Sequence, residues 1–308
     1  MEERLKSKEG YIVKRTLALF LLLSFSAQAK IQITAFNIRN YDKKSEQTDK
    51  IELKKILTDL GSDLFVVEEI YNNPSFEAFV AKEMPNYKLS LSRCGGGGSQ
   101  NLAFLYNPSK LILEKTVEDA KISDLDGIGS SDYGCSSLRP AYLGFFKDIE
   151  TDKNFIAVAL HLKAGSGSRN FSKRSKQYKY LLKMIRNLRM AGHKNIVLMG
   201  DLNTTGWNKR NEDYKNFANL LNQSGTKTIA EKLECTSYWG GKNQSDDIEV
   251  PSVLDHIVYT PDFLGMKMDK ASVGTHCAQA NCKETYNSVL GNSYSNVSDH
   301  CPITAVFK

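Results

Sequence analysis

The sequence predicts a layered α/β domain, and three observations carry that prediction. Short runs rich in β-branched and aromatic residues recur along the chain, as in "KIQITAF", "DLFVVE" and "KNIVLMG". Stretches with helical apolar spacing fall between them. Strand and helix patterns are therefore mixed throughout and not segregated into separate halves, the arrangement of sheets covered by helices.

Strands are predicted over 31–36, 64–67, 102–106, 142–146, 155–160, 196–199, 253–259 and 303–307, each short and bounded by turn formers. Helices are predicted where Ile51, Ile56, Leu57 and Leu60 recur, and again at Leu181, Leu182, Ile185 and Leu188. The run from Ile196 to Met199 is apolar at every residue, which suits a strand covered on both faces. The segment from Cys94 to Gln100, with four consecutive glycines, is expected to be a flexible loop, because such a run is costly to hold in one conformation.

Lys14 and Arg15 precede the apolar run Leu17 to Phe25, and Ala27-Gln28-Ala29 follows with the small-x-small pattern of a secretory cleavage site. That run is short for a membrane span. Residues 1–29 are therefore expected to be a removed signal peptide, and 30–308 one domain without internal repeats or long linkers. Residues 1–29 carry five Lys/Arg and three Asp/Glu, so the 41 basic and 35 acidic residues become 36 and 32, a net charge of +4. That mild excess suits an anionic partner.

Six cysteines in an exported chain fit disulfides, since no CxxC pair with zinc spacing is present. Cys277 and Cys282 are close enough in sequence to pair locally. The other four admit more than one connectivity, with Cys94–Cys135 and Cys235–Cys301 the expected pairs.

Polar residues gather at the ends of the predicted strands. Asn37 follows "ITAF", Glu69 follows "LFVVE", His161 follows "FIAVAL", and Asp201 and Asn203 follow "NIVLMG". Asp255 lies within "VLDHIVY", and Asp299 and His300 precede the last strand. Any one of these could simply be a turn former. Together they fit the crevice where strand ends of an α/β protein open into a ligand site.

The ordered set "AFNIRN", "FVVEEI", "LRPAYL", "VALHLKAG", "VLMGDLN", "LDHIVY" and "VSDHCPI" resembles the endonuclease/exonuclease/phosphatase superfamily from Ile31 to the C-terminus. Within it, the chain looks like the secreted pancreatic-type deoxyribonucleases and their bacterial extracellular relatives. The resemblance implies a four-layer sandwich of two packed mixed β-sheets flanked by helices, with the site at one edge. It also implies divalent-metal-dependent hydrolysis of phosphodiester bonds, leaving 5′-phosphate ends. Mg²⁺ or Mn²⁺ is the expected cofactor, with Ca²⁺ as a further structural ion.

That chemistry needs a cation on the phosphoryl oxygens, an activated water and a proton for the leaving oxygen. Glu69 and Asp299 are the expected metal carboxylates, because Mg²⁺ prefers oxygen ligands. Asn37 is placed with them and, like Asn203, can orient phosphate or bound water. Asp201 can take either role. In the family pattern the histidine of "SDH" pairs with the aspartate of "LDH", so His300 oriented by Asp255 is the expected general base. His161 is expected to stabilise the phosphate or protonate the leaving group.

Arg39 and Arg139 match arginines of the deoxyribonuclease pattern and are expected phosphate donors. The basic segment after His161 carries Lys163, Arg169, Lys173, Arg174, Lys176 and Lys179, of which Lys163 and Arg174 are the expected substrate contacts. Of the other histidines, His193 is expected to be solvated, His256 to face away from Asp255 by strand alternation, and His276 to be at the surface or structural.

The chain departs from the pancreatic-type pattern in two ways. Gln100 stands where that pattern carries an acidic residue supporting the first histidine, and "GGGGSQ" replaces the tyrosine and arginine that enter the minor groove. The expected protein is a secreted or periplasmic endonuclease acting on nucleic acid, DNA first and RNA as an open alternative. It is expected to be a monomer without stable membrane association. The competing enzyme is a secreted phosphodiesterase or phosphatase acting on a lipid or small phosphate ester. A lipid enzyme should present an exposed apolar hairpin, and no such segment is found after residue 29.

Overall fold

The computed structural model describes residues 30–123, 125, 137–241 and 246–308, so the expected signal peptide lies outside the described residues. In chain order the elements are β1 (Ile31–Tyr41), α1 (Lys50–Leu60), β2 (Leu64–Ile70), α2 (Asn73–Glu83), β3 (Lys88–Leu91), β4 (Asn101–Tyr106), β5 (Leu111–Asp119), β6 (Ala141–Asp148), β7 (Lys153–His161), α3 (Ser168–Met190), β8 (Ile196–Asp201), α4 (Glu212–Ser224), β9 (Lys227–Thr228), β10 (Ser237–Trp239), β11 (Ile248–Ser252), β12 (Asp255–Tyr259), β13 (Met268–Val273), α5 (Thr275–Gln279), β14 (Thr285–Tyr286), α6 (Asn287–Asn296) and β15 (Ile303–Phe307). Among the described residues, no helix is long and apolar enough to cross a membrane.

Two six-stranded sheets run in the orders β13-β15-β1-β2-β4-β3 and β5-β6-β7-β8-β12-β9, and β10-β11-β14 form a small third sheet. Both large sheets are mixed: β1 and β2 are parallel, as are β7 and β8, while the neighbouring pairs are antiparallel. Side-chain alternation divides each central strand between two cores. Val197 and Met199 join Ile33, Val66, Phe104 and Ile257 between the sheets, whereas Ile196 and Leu198 pack outward with Leu181 of α3 and Phe217 of α4. On the opposite outer face, Phe65 and Val67 meet Leu53 of α1 and Phe76 of α2. The result is four layers, and the all-apolar run of β8 follows from having a core on each side.

The predicted strands all appear, some one to five residues longer and one shorter, with β12 starting at Asp255. The glycine segment is not an open loop. Gly96–Gly98 form one 3₁₀ turn, and Gly96 has φ of 66°, with the space of a side chain taken by the Leu138 backbone.

Two disulfides differ from expectation: Cys235 pairs with Cys282, and Cys277 pairs with Cys301. Neither Cys277–Cys282 nor Cys235–Cys301 forms. The short helix α5 turns Cys277 toward the approach to β15, where its amide donates to Cys301 Sγ at 3.2 Å. Cys282 follows a turn in the left-handed region, with φ of 53°, and faces Cys235. Proximity in sequence is overridden by the direction each side chain takes. Cys94 is disulfide-bonded, and its expected partner Cys135 lies outside the described residues.

Candidate active site

The C-terminal ends of β1, β2, β7 and β8 meet the start of β12 and the loop before β15 at one edge of the sandwich. Gly200 makes the closest approach possible: with φ of 132°, a Cβ there would collide with the carbonyl oxygen of Leu160 on the neighbouring strand. The next residues, His161 and Asp201, are register partners at the ends of β7 and β8. Asp201 is also opposite Asp255 across the antiparallel β8–β12 pair.

Glu69 is held in the left-handed region, with φ of 62°, a conformation that a non-glycine residue keeps only when its surroundings fix it. Those surroundings are visible: Asn37 Nδ2 donates to its Oε1 at 3.1 Å, and the Asn40 amide donates to its Oε2 at 3.0 Å. Asn37 Nδ2 also reaches Asp201 Oδ2 at 3.4 Å. The Asn203 amide and side chain donate to Asp201 at 2.8 and 3.0 Å, so this asparagine orients the aspartate. Burial pushes the Asp201 carboxyl above the ordinary carboxylate range, with Asp255 and Glu69 adding to the effect and His300 opposing it.

The two histidines sit on either side of Asp201. His300 Nδ1 lies 2.9 Å from Asp255 Oδ2, which also accepts from Thr236 Oγ1 at 2.7 Å. A carboxylate at Nδ1 places the ring proton there and leaves Nε2, 3.8 Å from Asp201 Oδ2, facing the site. Burial alone would lower the His300 pKa, but Asp255 and Asp201 outweigh it and raise it well above the ordinary value. His161 Nε2 lies 3.5 Å from Asp201 Oδ2 and 3.7 Å from Glu69 Oε1, while its buried Nδ1 has no hydrogen-bond partner among the described residues. Burial, reinforced by Arg139 and His300, drives its pKa well below the ordinary value, so this ring is neutral.

The sequence thus placed Asn37, Glu69, His161, Asp201, Asn203, Asp255 and His300 in what is one contiguous cluster. Asp299 is on the His300 loop and partly buried, and no described hydrogen bond or ion pair joins its carboxyl to Glu69 or Asn37. Arg39 donates to the Ser295 carbonyl at 2.9 Å. Arg139 is buried and donates to the carbonyls of His161 and Leu162 at 3.1 and 2.8 Å, fixing the end of β7. It also donates to Gln100 Oε1 at 3.4 Å, so Gln100 braces the arginine and Asn40, and among the described residues no carboxylate hydrogen-bonds to His161 Nδ1.

Arg174 is corrected. It is fully buried, bidentate to Asp213 at 3.0 and 2.9 Å, and donates to the carbonyls of Lys163 and Gly165 and to Thr205 Oγ1. It ties the loop after His161 to the loop after Asp201 and is out of reach of substrate. Lys163 remains at the surface, where burial and repulsion from Lys173, Arg139 and Arg174 lower its pKa, the mark of a locally basic rim. Arg169 is exposed in the first turn of α3.

His256 faces the outer core as expected, with Thr204 Oγ1 2.7 Å from its Nε2. His276 is buried beside the disulfides, and His193 is partly buried with its ring against Phe145. A grouping of His276 with Cys277 and Cys301 offers no metal site, because both sulfurs are in the disulfide.

One residue escaped the sequence reading. Glu68, register partner of Asn37, is fully buried beneath the site, and among the described residues neither carboxylate oxygen has a hydrogen-bond partner. Burial, then Asp255 and Asp201, raises its pKa well above the ordinary value. The signal was the "EE" doublet, which alternation alone would split between opposite faces of the sheet. Carboxyls at Glu68, Glu69, Asp201 and Asp255 thus crowd one buried region, and ligand atoms of Asp201, Asp255 and His300 lie within 4.8 Å of one another. Such a concentration of hard oxygen donors fits a divalent cation of the Mg²⁺ type.

Known structures share this fold. An endonuclease/exonuclease/phosphatase from Bacteroides vulgatus aligns with a TM-score of 0.63 at 18% identity, over 91% of this chain and 99% of that one. D. rerio TDP2 complexed with a single-strand DNA product gives 0.62 at 14%, over 91% and 99%. The human Nocturnin catalytic domain with a bound sulfate anion gives 0.57 at 17%, over 91% and 94%. No curated protein matches the chain. Residues 34–300 match the model of the Endonuclease/Exonuclease/phosphatase family, to which this chain therefore belongs.

Proposed function

We propose that the chain is an exported, divalent-metal-dependent endonuclease that hydrolyses phosphodiester bonds in nucleic acid, DNA foremost, and leaves 5′-phosphate ends. The observation that carries this reading is the pair of histidines flanking Asp201, of which His300 is backed by the Asp255 carboxylate. It supplies a proton acceptor and a neutral donor on either side of one point.

In this mechanism His300 takes the proton of the attacking water at Nε2, and Asp255 fixes the tautomer and stabilises the charge that develops on the ring. His161, neutral and with its Nε2 toward the site, donates a hydrogen bond to a phosphoryl oxygen. Asn203, which also reaches the Leu162 carbonyl at 3.3 Å, keeps Asp201 and the His161 loop in register. Glu69, seated on Asn37, would hold the divalent cation, with Asp299 on the His300 loop as the second expected carboxylate. When bound, that cation supplies charge neutralisation at the phosphoryl group. The TDP2 relative with its single-strand DNA product supports a nucleic-acid substrate, and the basic rim around Lys163 supports a polyanion.

The test is a substrate panel. Plasmid DNA should be nicked internally in Mg²⁺ far faster than bis-p-nitrophenyl phosphate, sphingomyelin or inositol phosphates are hydrolysed, and EDTA should stop all turnover. Glu69→Gln should abolish activity while leaving the thermal transition in place. Fast turnover of a lipid or small ester with plasmid left covalently closed would overturn the nuclease reading.

A further inference from the structure

A groove of about 590 Å³ opens beside the Glu69 end of the site, lined by Asp42, Lys44, Tyr71, Asn73, Ser99 and Asn101 among others. Two hydrogen bonds link its neighbourhood to the site. The Asn40 amide donates to Glu69 Oε2, and Asn40 Oδ1 accepts from Gln100 Nε2 at 2.9 Å, with Gln100 lying between the groove residues Ser99 and Asn101. Tyr71 of the groove lies two residues beyond Glu69 on the same chain segment.

Tyr71 is the groove's main feature. The ring is 41% exposed, although the chain turns the other aromatics of this region, Tyr41, Phe76 and Phe79, into the core. One cation already sits beside it: Lys43 Nζ lies 5.8 Å from the ring centroid. Polar groups surround the ring. Asn72 spends its Oδ1 on the Ser75 amide as a helix cap, and the buried Asn73 Oδ1 has no hydrogen-bond partner among the described residues. Lys44 is exposed at the rim. A partly exposed aromatic ring, amide groups and two ammonium groups near a phosphodiester site match one chemistry, a nucleotide with its base free to stack.

We propose that this groove binds an unpaired nucleobase of the substrate strand adjacent to the scissile phosphate, stacked on Tyr71, with Lys43 and Lys44 beside its phosphate. This deepens the nuclease reading and rests on it. A base can lay its face on the ring only when it is out of its own stack, so the groove favours single-stranded or frayed ends over intact duplex. Stacking is indifferent to base identity, so it adds affinity without sequence preference. Ser99, which caps the glycine turn, forms part of the lining.

The test measures binding with turnover removed. In the His300→Ala background, a fluorescent single-stranded oligonucleotide should bind about tenfold more weakly after Tyr71→Ala, and within about twofold of the parent after Tyr71→Phe. An oligonucleotide of the same length made abasic throughout, and a blunt duplex, should bind equally well with and without the ring. In the otherwise unaltered enzyme, Tyr71→Ala should raise KM on single strands and leave hydrolysis of bis-p-nitrophenyl phosphate unchanged. Equal weakening for the abasic strand, equal loss on the small ester, or no effect of Tyr71→Ala on single-strand binding would each overturn the proposal. If plasmid is still nicked in those cases, the nuclease reading survives the loss of the groove. If plasmid and single strands are untouched by the unaltered enzyme, both fall together.

Discussion

The two halves of the active site hold their histidines by different means. On one side His300 leans on Asp255, Asp255 leans on Thr236, and the next residue, Cys301, is stapled to Cys277. On the other side, among the described residues, no carboxylate backs the Nδ1 of His161. Its position is set by the backbone: Arg139 takes the carbonyls of His161 and Leu162, and Arg174 takes those of Lys163 and Gly165. The difference shows in the electrostatics, since the first ring is pushed toward the charged form and the second toward the neutral one. A carboxylate partner raises a histidine's proton affinity, whereas burial beside a clamping guanidinium lowers it while fixing its place. The pair is thereby divided into a base and a neutral donor.

The largest effect should come from removing the tuned side. Asp255→Asn and His300→Gln are each expected to lower kcat by about 10³-fold, the range for loss of a positioned base or its tautomer. Their pH profiles should differ. Activity needs neutral His300, so it rises with pH through a pKa that the carboxylates have raised. Asp255→Asn removes part of that elevation, and the acid limb of its residual activity should move to lower pH. An unmoved limb would break the assignment of His300 as the group that must lose a proton.

On the clamped side the largest effect should be on stability. Arg174 and Asp213 are both fully buried, so removing one leaves an uncompensated charge. Arg174→Ala should cost about 3–5 kcal/mol in denaturant unfolding. Arg174→Ala/Asp213→Ala together should cost less than the sum of the single changes, as expected for direct partners. Full additivity would mean that the two do not act as one clamp.

The same division sharpens at His161 itself. If this ring acts as a neutral hydrogen-bond donor, an amide can replace part of what it does. His161→Ala should lose about 10²-fold and His161→Gln only about tenfold, a contrast that His300 should not show. Equal losses at His161 for Ala and Gln would return it to a proton-transferring role.

What the sequence made legible follows the same split. The apolar periodicity of β1, β2, β7 and β8 was plain because each strand faces a core on both sides, and the polar residues at their ends followed directly. β5 was invisible: it is an edge strand with Glu114, Lys115, Thr116 and Val117 exposed, so burial imposes no alternation on it. The role of Arg174 was misread for a similar reason. A charge run on a helix does not reveal which member turns inward, because its partner Asp213 comes from another helix 39 residues on. The cysteine pairs were hidden for a geometric reason: sequence spacing carries no information on side-chain direction around α5 and the turn after it. Glu68 was overlooked because the strained backbone at Glu69 breaks strand alternation at the point where it would have been read.

The smallest effect should come from the basic rim, and it separates the surface lysine from the buried arginine in the same segment. Lys163 and Arg169 keep their charged ends at the surface beside His161, and only such groups can exchange a counterion for a phosphate. Each phosphate contact removed should make the dependence of log KM on log salt shallower by about 0.7–0.9. Lys163→Ala combined with Arg169→Ala should therefore raise KM at low salt by several-fold, flatten its salt dependence, and leave kcat on plasmid close to its original value. Arg174→Ala should do the reverse, lowering stability while leaving the salt slope alone, because its guanidinium is already satisfied by Asp213. If the surface pair leaves the slope unchanged, affinity comes from elsewhere along the site, and the groove at Tyr71 becomes the place to look for it.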